Sequence, residues 1–101
     1  MKRQLCFMFI NKEITDEPKR TVMELEGAEM NLIAVGSYDM ACEEAQRLAE
    51  NGVGMIELCG GFGVIGHGRV QEAVLGKAIV GVVRFDHHPG YDHESGDARW
   101  L

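Results

Sequence analysis

The residue types best suited to chemistry gather in two parts of this sequence, and the first is a glycine-rich run from Cys59 to Gly68. An apolar segment precedes this run, and a segment with helical spacing follows it. Glycine lets the backbone approach a ligand closely, and the first turn of a helix offers unpaired N–H groups at the positive end of its dipole. The run therefore predicts a site for a small anion, a phosphate or carboxylate. The predicted ligand-binding glycines are Gly60, Gly61, Gly63 and Gly66.

The second part lies after the last apolar segment, where Arg84 is followed closely by Asp86, His87 and His88. We expect Arg84 and His87 to bind the anion, and Asp86 or His88 to transfer protons. Two further residues come from the strand that leads into the glycine run. A cysteine near a helix N-terminus can become a nucleophile and a buried glutamate can become a base. The predicted catalytic residues are therefore Cys59, Glu57, Asp86 and His88.

Each of these residues also has a structural interpretation. The glycines can serve tight turns and close helix packing, and Cys59 can be a small buried residue. Arg84 at the end of an apolar strand needs a carboxylate partner, which Glu57 or Asp86 could provide. Under this alternative the protein is a non-enzymatic, oligomeric binding or assembly module.

A metal-dependent enzyme is a third hypothesis, because histidines and acids are dense between Asp86 and Asp97. His88 and His93, with Asp86 or Asp92, supply nitrogen and carboxylate ligands suited to Zn²⁺, and Cys59 is available as a further, sulfur ligand. No recognised ligand spacing is present, so the identity of any metal or cofactor stays open.

The run Gly61 to Gly66 also matches the G-x-G-x-x-G fingerprint of dinucleotide-binding proteins, and Asp86 lies 20 residues beyond Gly66. The run, however, follows the third predicted strand, and the sequence ends soon after the fourth. A dinucleotide-sized half does not fit there, which favours a smaller anion.

Apolar runs and helix signals predict the elements that position these residues. The predicted strands are 5–10, 30–35, 53–58 and a fourth beginning at residues 79–83. A helix capped by Ser37 or Asp39 should reach Asn51, and a second should end at Gly76. Residues 16–27 suggest a short helix, with an edge strand over residues 22–25 as the alternative.

Alternating strands and helices predict one small α/β domain of about four mostly parallel strands with two or three helices. The strand order is open between flavodoxin-like and half-barrel-like arrangements. In either order the carboxyl ends of the strands share one edge, where the candidate residues would meet. So few helices cannot cover both faces of the sheet, so we expect a homo-oligomer.

Composition limits the partners. The chain has 101 residues and a net charge of -6, with its ten Lys and Arg scattered, so we expect no nucleic-acid binding. No apolar run is long enough for a membrane span. Three cysteines without a Cys-x-x-Cys pair predict a reducing, cytoplasmic environment. We expect residues 1–101 to form a single domain, of which 87–101 is a polar tail rich in His and Asp.

Three segments carry a resemblance to a known family: Glu57 to Gly63, Val82 to Asp86, and His88 to Gly90. Through them the chain resembles a family of short bacterial proteins catalogued as a domain of unknown function. The resemblance covers nearly the whole chain. It implies a stand-alone cytoplasmic domain with a site at the glycine run, and it assigns no activity or catalytic residue.

Overall fold

A computed structural model describes residues 2–101 as a five-stranded sheet with three helices. The strands are β1 (Arg3–Ile10), β2 (Lys19–Glu24), β3 (Ala28–Val35), β4 (Met55–Leu58) and β5 (Ile79–Val82), and the helices are α1 (Tyr38–Glu50), α2 (Val64–Ala73) and α3 (Gly96–Trp100). The order across the sheet is β2-β3-β1-β4-β5, and only β2 runs antiparallel to its neighbour. The predicted α/β class and mostly parallel sheet are confirmed, with one strand more than expected.

The predicted helix over residues 16–27 is wrong, and the alternative of an edge strand is closer to the structure. β2 pairs along its whole length with β3, where Thr21 lies opposite Leu32. The β-branched Thr21 and Val22 suit a strand, and Pro18 just before it favours extended backbone. A long-range hydrogen-bond ladder therefore outweighs the weak helix signals of this short segment.

The two long helices pack on one face of the sheet. The side chains of β1 that face them, Cys6, Met8 and Ile10, are buried in the main apolar core. α1 begins at Ser37, whose hydroxyl accepts a hydrogen bond from Met40 N–H at 3.0 Å. Ser37 is thus the cap, as one of the two predicted possibilities.

An ion pair with a buried carboxylate joins β2 to α1. The Glu44 carboxylate on α1 is almost fully buried and contacts Arg20 of β2 at 3.1 Å and Arg47 of its own helix at 2.9 Å. A buried carboxylate needs such compensation. Arg20 therefore holds the edge strand against the helical layer.

No helix of residues 2–101 covers the opposite face of the sheet, and we call it the open face. Strand register places on it the alternate residues of every strand. Its apolar members include Leu5, Phe7, Phe9, Met23, Met30, Leu32, Ala34, Met55 and Ile79. Leu32, Met23 and Ile79 are 40%, 63% and 77% exposed.

The segment after β5 folds back onto the glycine run. It forms a single 3-10 turn, Pro89–Tyr91, and then α3, and Trp100 packs against the main core. Residues predicted as a polar tail thus contribute to the packed structure. Among residues 2–101, no helix has the length and apolar character needed to span a bilayer.

Candidate functional site

The glycine run forms a tight connection from β4 to α2. Its anchor is Phe62, which is 1% exposed and stacks on the ring of Tyr38 from α1, with the ring centroids 5.7 Å apart. Phe62 N–H donates to the carbonyl of Cys59, and Gly61 N–H donates to the Cys59 sulfur at 3.3 Å. The loop is therefore fixed by its own backbone and by one buried aromatic pair.

A carboxylate of the same chain occupies the first turn of α2. Asp97, from α3, accepts hydrogen bonds from the backbone N–H of Ile65 at 2.9 Å and of Gly66 at 3.1 Å. The Tyr38 hydroxyl donates to the same carboxylate at 2.8 Å and accepts from Gly63 N–H at 3.0 Å. Free N–H groups and the helix dipole attract an anion here, as the sequence predicts. The anion that the structure shows is internal.

Four glycines of the run are required by this packing, among them Gly61, where a side chain would overlap the Tyr91 hydroxyl and Ile10. A side chain at Gly63 would overlap the Asp97 carboxylate, one at Gly66 would overlap the Tyr38 ring, and one at Gly60 would overlap Phe85. These positions leave space for the residues that fold back over the loop.

The Tyr38 hydroxyl is held in its neutral form. Burial raises the pKa of Tyr38 strongly, and the neighbouring Asp97 carboxylate raises it further, whereas the hydrogen bond from Gly63 N–H lowers it. Burial also raises the pKa of the Cys6 thiol, to about 12. Both groups are therefore protonated structural residues at neutral pH.

The predicted catalytic residues do not share one pocket. Glu57 lies on the open face, and Cys59 is half-buried at the start of the loop. Asp86 is exposed and pairs with Arg84 at 3.0 Å, so Arg84 takes the second of its two predicted partners. His88 accepts a hydrogen bond from Gly90 N–H at 2.9 Å and stacks on Tyr91 at 4.2 Å. His87 is exposed, and its Nδ1 lies 3.3 Å from the carbonyl oxygen of His93.

Two predicted ligand-binding residues, Gly63 and Arg84, do meet one predicted catalytic residue, Asp86, in a small cavity beside α2. Gly63, Arg84 and Asp86 line a space of about 30 Å³, together with His67 and neighbouring apolar residues. The Nε2 atom of His67 is buried and has no hydrogen-bond partner among the described residues. A cavity of this size accommodates water-sized groups.

The described residues contain no cluster of ligands for the predicted metal ion. Within residues 2–101, no three His, Cys, Asp or Glu side chains lie close enough together to hold a metal ion. The ligands proposed for a metal-dependent enzyme are therefore not assembled in this part of the chain.

Comparison with known proteins identifies the family of this chain. The model of a family of unknown function, DUF6506, matches residues 3–98. The chain belongs to this family. The family membership confirms the resemblance to a domain of unknown function, and the description of DUF6506 assigns no activity. No curated protein and no solved structure matches the chain.

This DUF6506 chain also has a groove of small-molecule size that the sequence did not indicate. It is a groove of about 320 Å³ at the carboxyl ends of β1 and β3. Open-face residues form its floor, and the connection from β1 to β2 forms one wall. The lining residues are Phe9, Asn11, Glu13, Ile14, Lys19, Thr21, Leu32 and Ala34.

Sequence reasoning missed this groove for a specific reason. It depends on β2, which supplies Lys19 and Thr21 and was predicted as part of a helix. It also missed Asp97 and Tyr38, since a capping carboxylate 31 residues after Gly66 in the printed sequence has no local signature. The one available signal was the glycine spacing, which requires some other group to pack closely against the loop.

Proposed function

We propose that this protein is a non-enzymatic, cytoplasmic binding module that works as a homodimer, in which two copies pack their open faces together. The observation that carries the proposal is the one-sided sheet. Its helices cover one face, and the other presents partly exposed Phe, Leu, Met and Ile side chains. A contiguous apolar surface of this kind marks an interface.

The size of the open face supports a second copy as the occupant. Five strands about 4.8 Å apart and up to about 25 Å long give a footprint of roughly 400–500 Å². A pleated surface covered by side chains has more accessible area than its footprint. The footprint alone is thus at least half of the roughly 800 Å² per partner of a standard specific interface.

The charges on the open face also suit a second copy. Glu57 lies beside Phe7, and the other charged residues of this face are Arg3 and Lys19. Face-to-face packing would remove water from Glu57, which then needs a cation. Arg3 or Lys19 of the second copy provides one, so an isologous pair compensates its own charges.

The test is the oligomeric state of two matched variants, measured by sedimentation equilibrium. Leu32→Glu places a charge in the middle of the open face, and Leu75→Glu places the same charge at a residue that is 74% exposed outside it. We expect a dimer for the unaltered chain and for Leu75→Glu, and a folded monomer for Leu32→Glu.

A monomeric unaltered chain at micromolar concentrations contradicts the proposal, as does a dimer that survives Leu32→Glu. Should Leu32→Glu fail to fold by circular dichroism, Glu57→Lys tests the same face. Glu57 is already exposed, and reversing its charge removes the proposed ion pair without burying a new charge in the monomer.

Anion binding beside the glycine run is the second candidate function. Arg84, which lines the His67 cavity, favours it, because Arg84 is 62% exposed and its ion-pair partner, Asp86, is 60% exposed. Such a surface pair is weak and leaves Arg84 able to turn to an anion. Phosphate would lie on the surface beside Arg84, since the cavity itself holds only water-sized groups. We expect inorganic phosphate to raise the melting temperature, and Arg84→Met to abolish the rise while Lys77→Met preserves it. An unchanged melting temperature for the unaltered chain counts against this candidate.

A further inference from the structure

We infer that the groove at the carboxyl ends of β1 and β3 binds a small monocarboxylic acid with an apolar body. The inference rests on the proposed dimer only for the closing of the groove, because the floor of the groove is part of the open face. A second copy packed there would enclose a ligand that the single chain leaves open to solvent.

The groove lies at an edge of the sheet where ligands bind in folds of this class. From β1 the chain moves to β3 on one side, and α1 then carries it to β4 on the other side of β1. The strand order therefore reverses between β1 and β4, and the groove begins at β1, one strand from that point. Open α/β sheets bind ligands outside the carboxyl ends of their strands, which is where the groove lies.

The size and the apolar floor of the groove suit a small molecule. Its volume of about 320 Å³ lies at the lower end of the range for small-molecule sites. The floor is apolar, formed by Phe9, Leu32 and Ala34, and Ile14 adds an apolar wall that is 8% exposed. A short aromatic or branched aliphatic body would bury its surface against these side chains.

The polar groups at the rim define the head group. Lys19 makes no ion pair with any described residue, and its ammonium group is exposed. Thr21 adds a hydroxyl donor. The side-chain oxygen of Asn11 already accepts from Glu13 N–H at 2.8 Å, which leaves the Asn11 amide nitrogen as a donor. Three donors, one of them charged, match a carboxylate.

The carboxylate of Glu13 at the rim decides against a dianion. Repulsion from Glu13 disfavours a second negative charge on the ligand, and a monocarboxylate can place its charge at Lys19 while its body covers the floor. Glu13 would attract the ammonium group of a zwitterion such as an amino acid, so an amino acid with an apolar side chain is the competing ligand for this groove.

Titration calorimetry with hydrocinnamate tests the inference, with its neutral amide and phenylalanine as comparison ligands. We expect hydrocinnamate to bind, and the amide to bind about tenfold more weakly or worse, since it lacks the charge that pairs with Lys19. Lys19→Met should cause a similar loss. Lys12→Met, a change to an exposed lysine of the same connection that does not line the groove, should leave the affinity unchanged.

Glu13→Gln tests the repulsion between the Glu13 carboxylate and the ligand. Removing the repulsive carboxylate should tighten hydrocinnamate binding. Absence of binding at millimolar hydrocinnamate overturns the inference, as does equal affinity for the amide. Preferred binding of phenylalanine that is lost in Glu13→Gln overturns the acid in favour of a zwitterion.

Sedimentation of the same samples separates the two proposals. A dimer that does not bind hydrocinnamate contradicts the groove alone. A monomer that binds it contradicts the dimer alone.

Discussion

At the scale of single residues, the centre of the structure is the Tyr38 hydroxyl, which joins three distant parts of the chain. It accepts from Gly63 and donates to Asp97, and its ring packs against Phe62. A buried hydroxyl with both of its functions satisfied stabilises a unique arrangement, because each alternative leaves a polar group unpaired. Tyr38 thus fixes the loop, α1 and α3 relative to one another.

This residue predicts a loss of stability at alkaline pH. The unfolded chain releases the tyrosine proton near pH 10, whereas the folded chain keeps it because the pKa of Tyr38 is raised. Ionisation therefore favours the unfolded state, and the free energy of unfolding should fall from about pH 10 upward by as much as about 1.4 kcal/mol per pH unit. Cys6 adds to the fall between its ordinary pKa of 9.0 and about 12.

Urea unfolding at several pH values measures this effect. Tyr38→Phe should be less stable at neutral pH by about 1 kcal/mol, because Asp97 and Gly63 each lose a partner. Its alkaline decline should be shallower than that of the unaltered chain, while Tyr91→Phe should keep the full decline. Parallel declines for Tyr38→Phe and the unaltered chain would refute the role assigned to this hydroxyl.

At the scale of elements, the sequence predicts those parts whose signal is local. The apolar run of β1, the Ser37 cap of α1 and the apolar approach to Cys59 all identify their elements correctly. The strand β2 could not be predicted in this way, because it is a strand only through its pairing with β3. The candidate site could not be predicted for the same reason. Asp97, Tyr38 and the groove are brought together from segments that lie far apart in sequence.

Two glycines of α2 give a sharp test of this packing. Gly66 and Gly68 lie two positions apart on the same helix, yet a side chain at Gly66 would overlap the Tyr38 ring, while nothing lies within 4 Å of one at Gly68. Gly66→Ala should lower the free energy of unfolding by about 1–3 kcal/mol, because the ring must move. Gly68→Ala should raise it by about 0.5–1 kcal/mol through helix propensity.

Chemical denaturation of the two alanine variants under identical conditions measures both effects. Equal changes of the same sign would mean that Tyr38 does not pack against α2 as described.

At the scale of the whole molecule, the sheet is covered on one face only, because one crossover connection contains a strand where a helix is usual. Both helical crossovers, β3 to β4 and β4 to β5, move in the same direction across the sheet, and right-handed crossovers then place α1 and α2 on the same face. The β1 to β3 connection moves in the opposite direction and would place a helix on the other face. Here that connection forms β2 instead, so the open face, and with it the floor of the groove, remains uncovered.

The Asp97 cap has a further consequence for the order in which the molecule is made. Residues 64–66 are synthesised 31 or more residues before Asp97, which at roughly 5–20 residues per second corresponds to about 2–6 s of translation. Throughout this interval the start of α2 and the hydroxyl of Tyr38 lack the carboxylate that later joins them. The nascent chain therefore completes this part of its fold only when α3 has been synthesised.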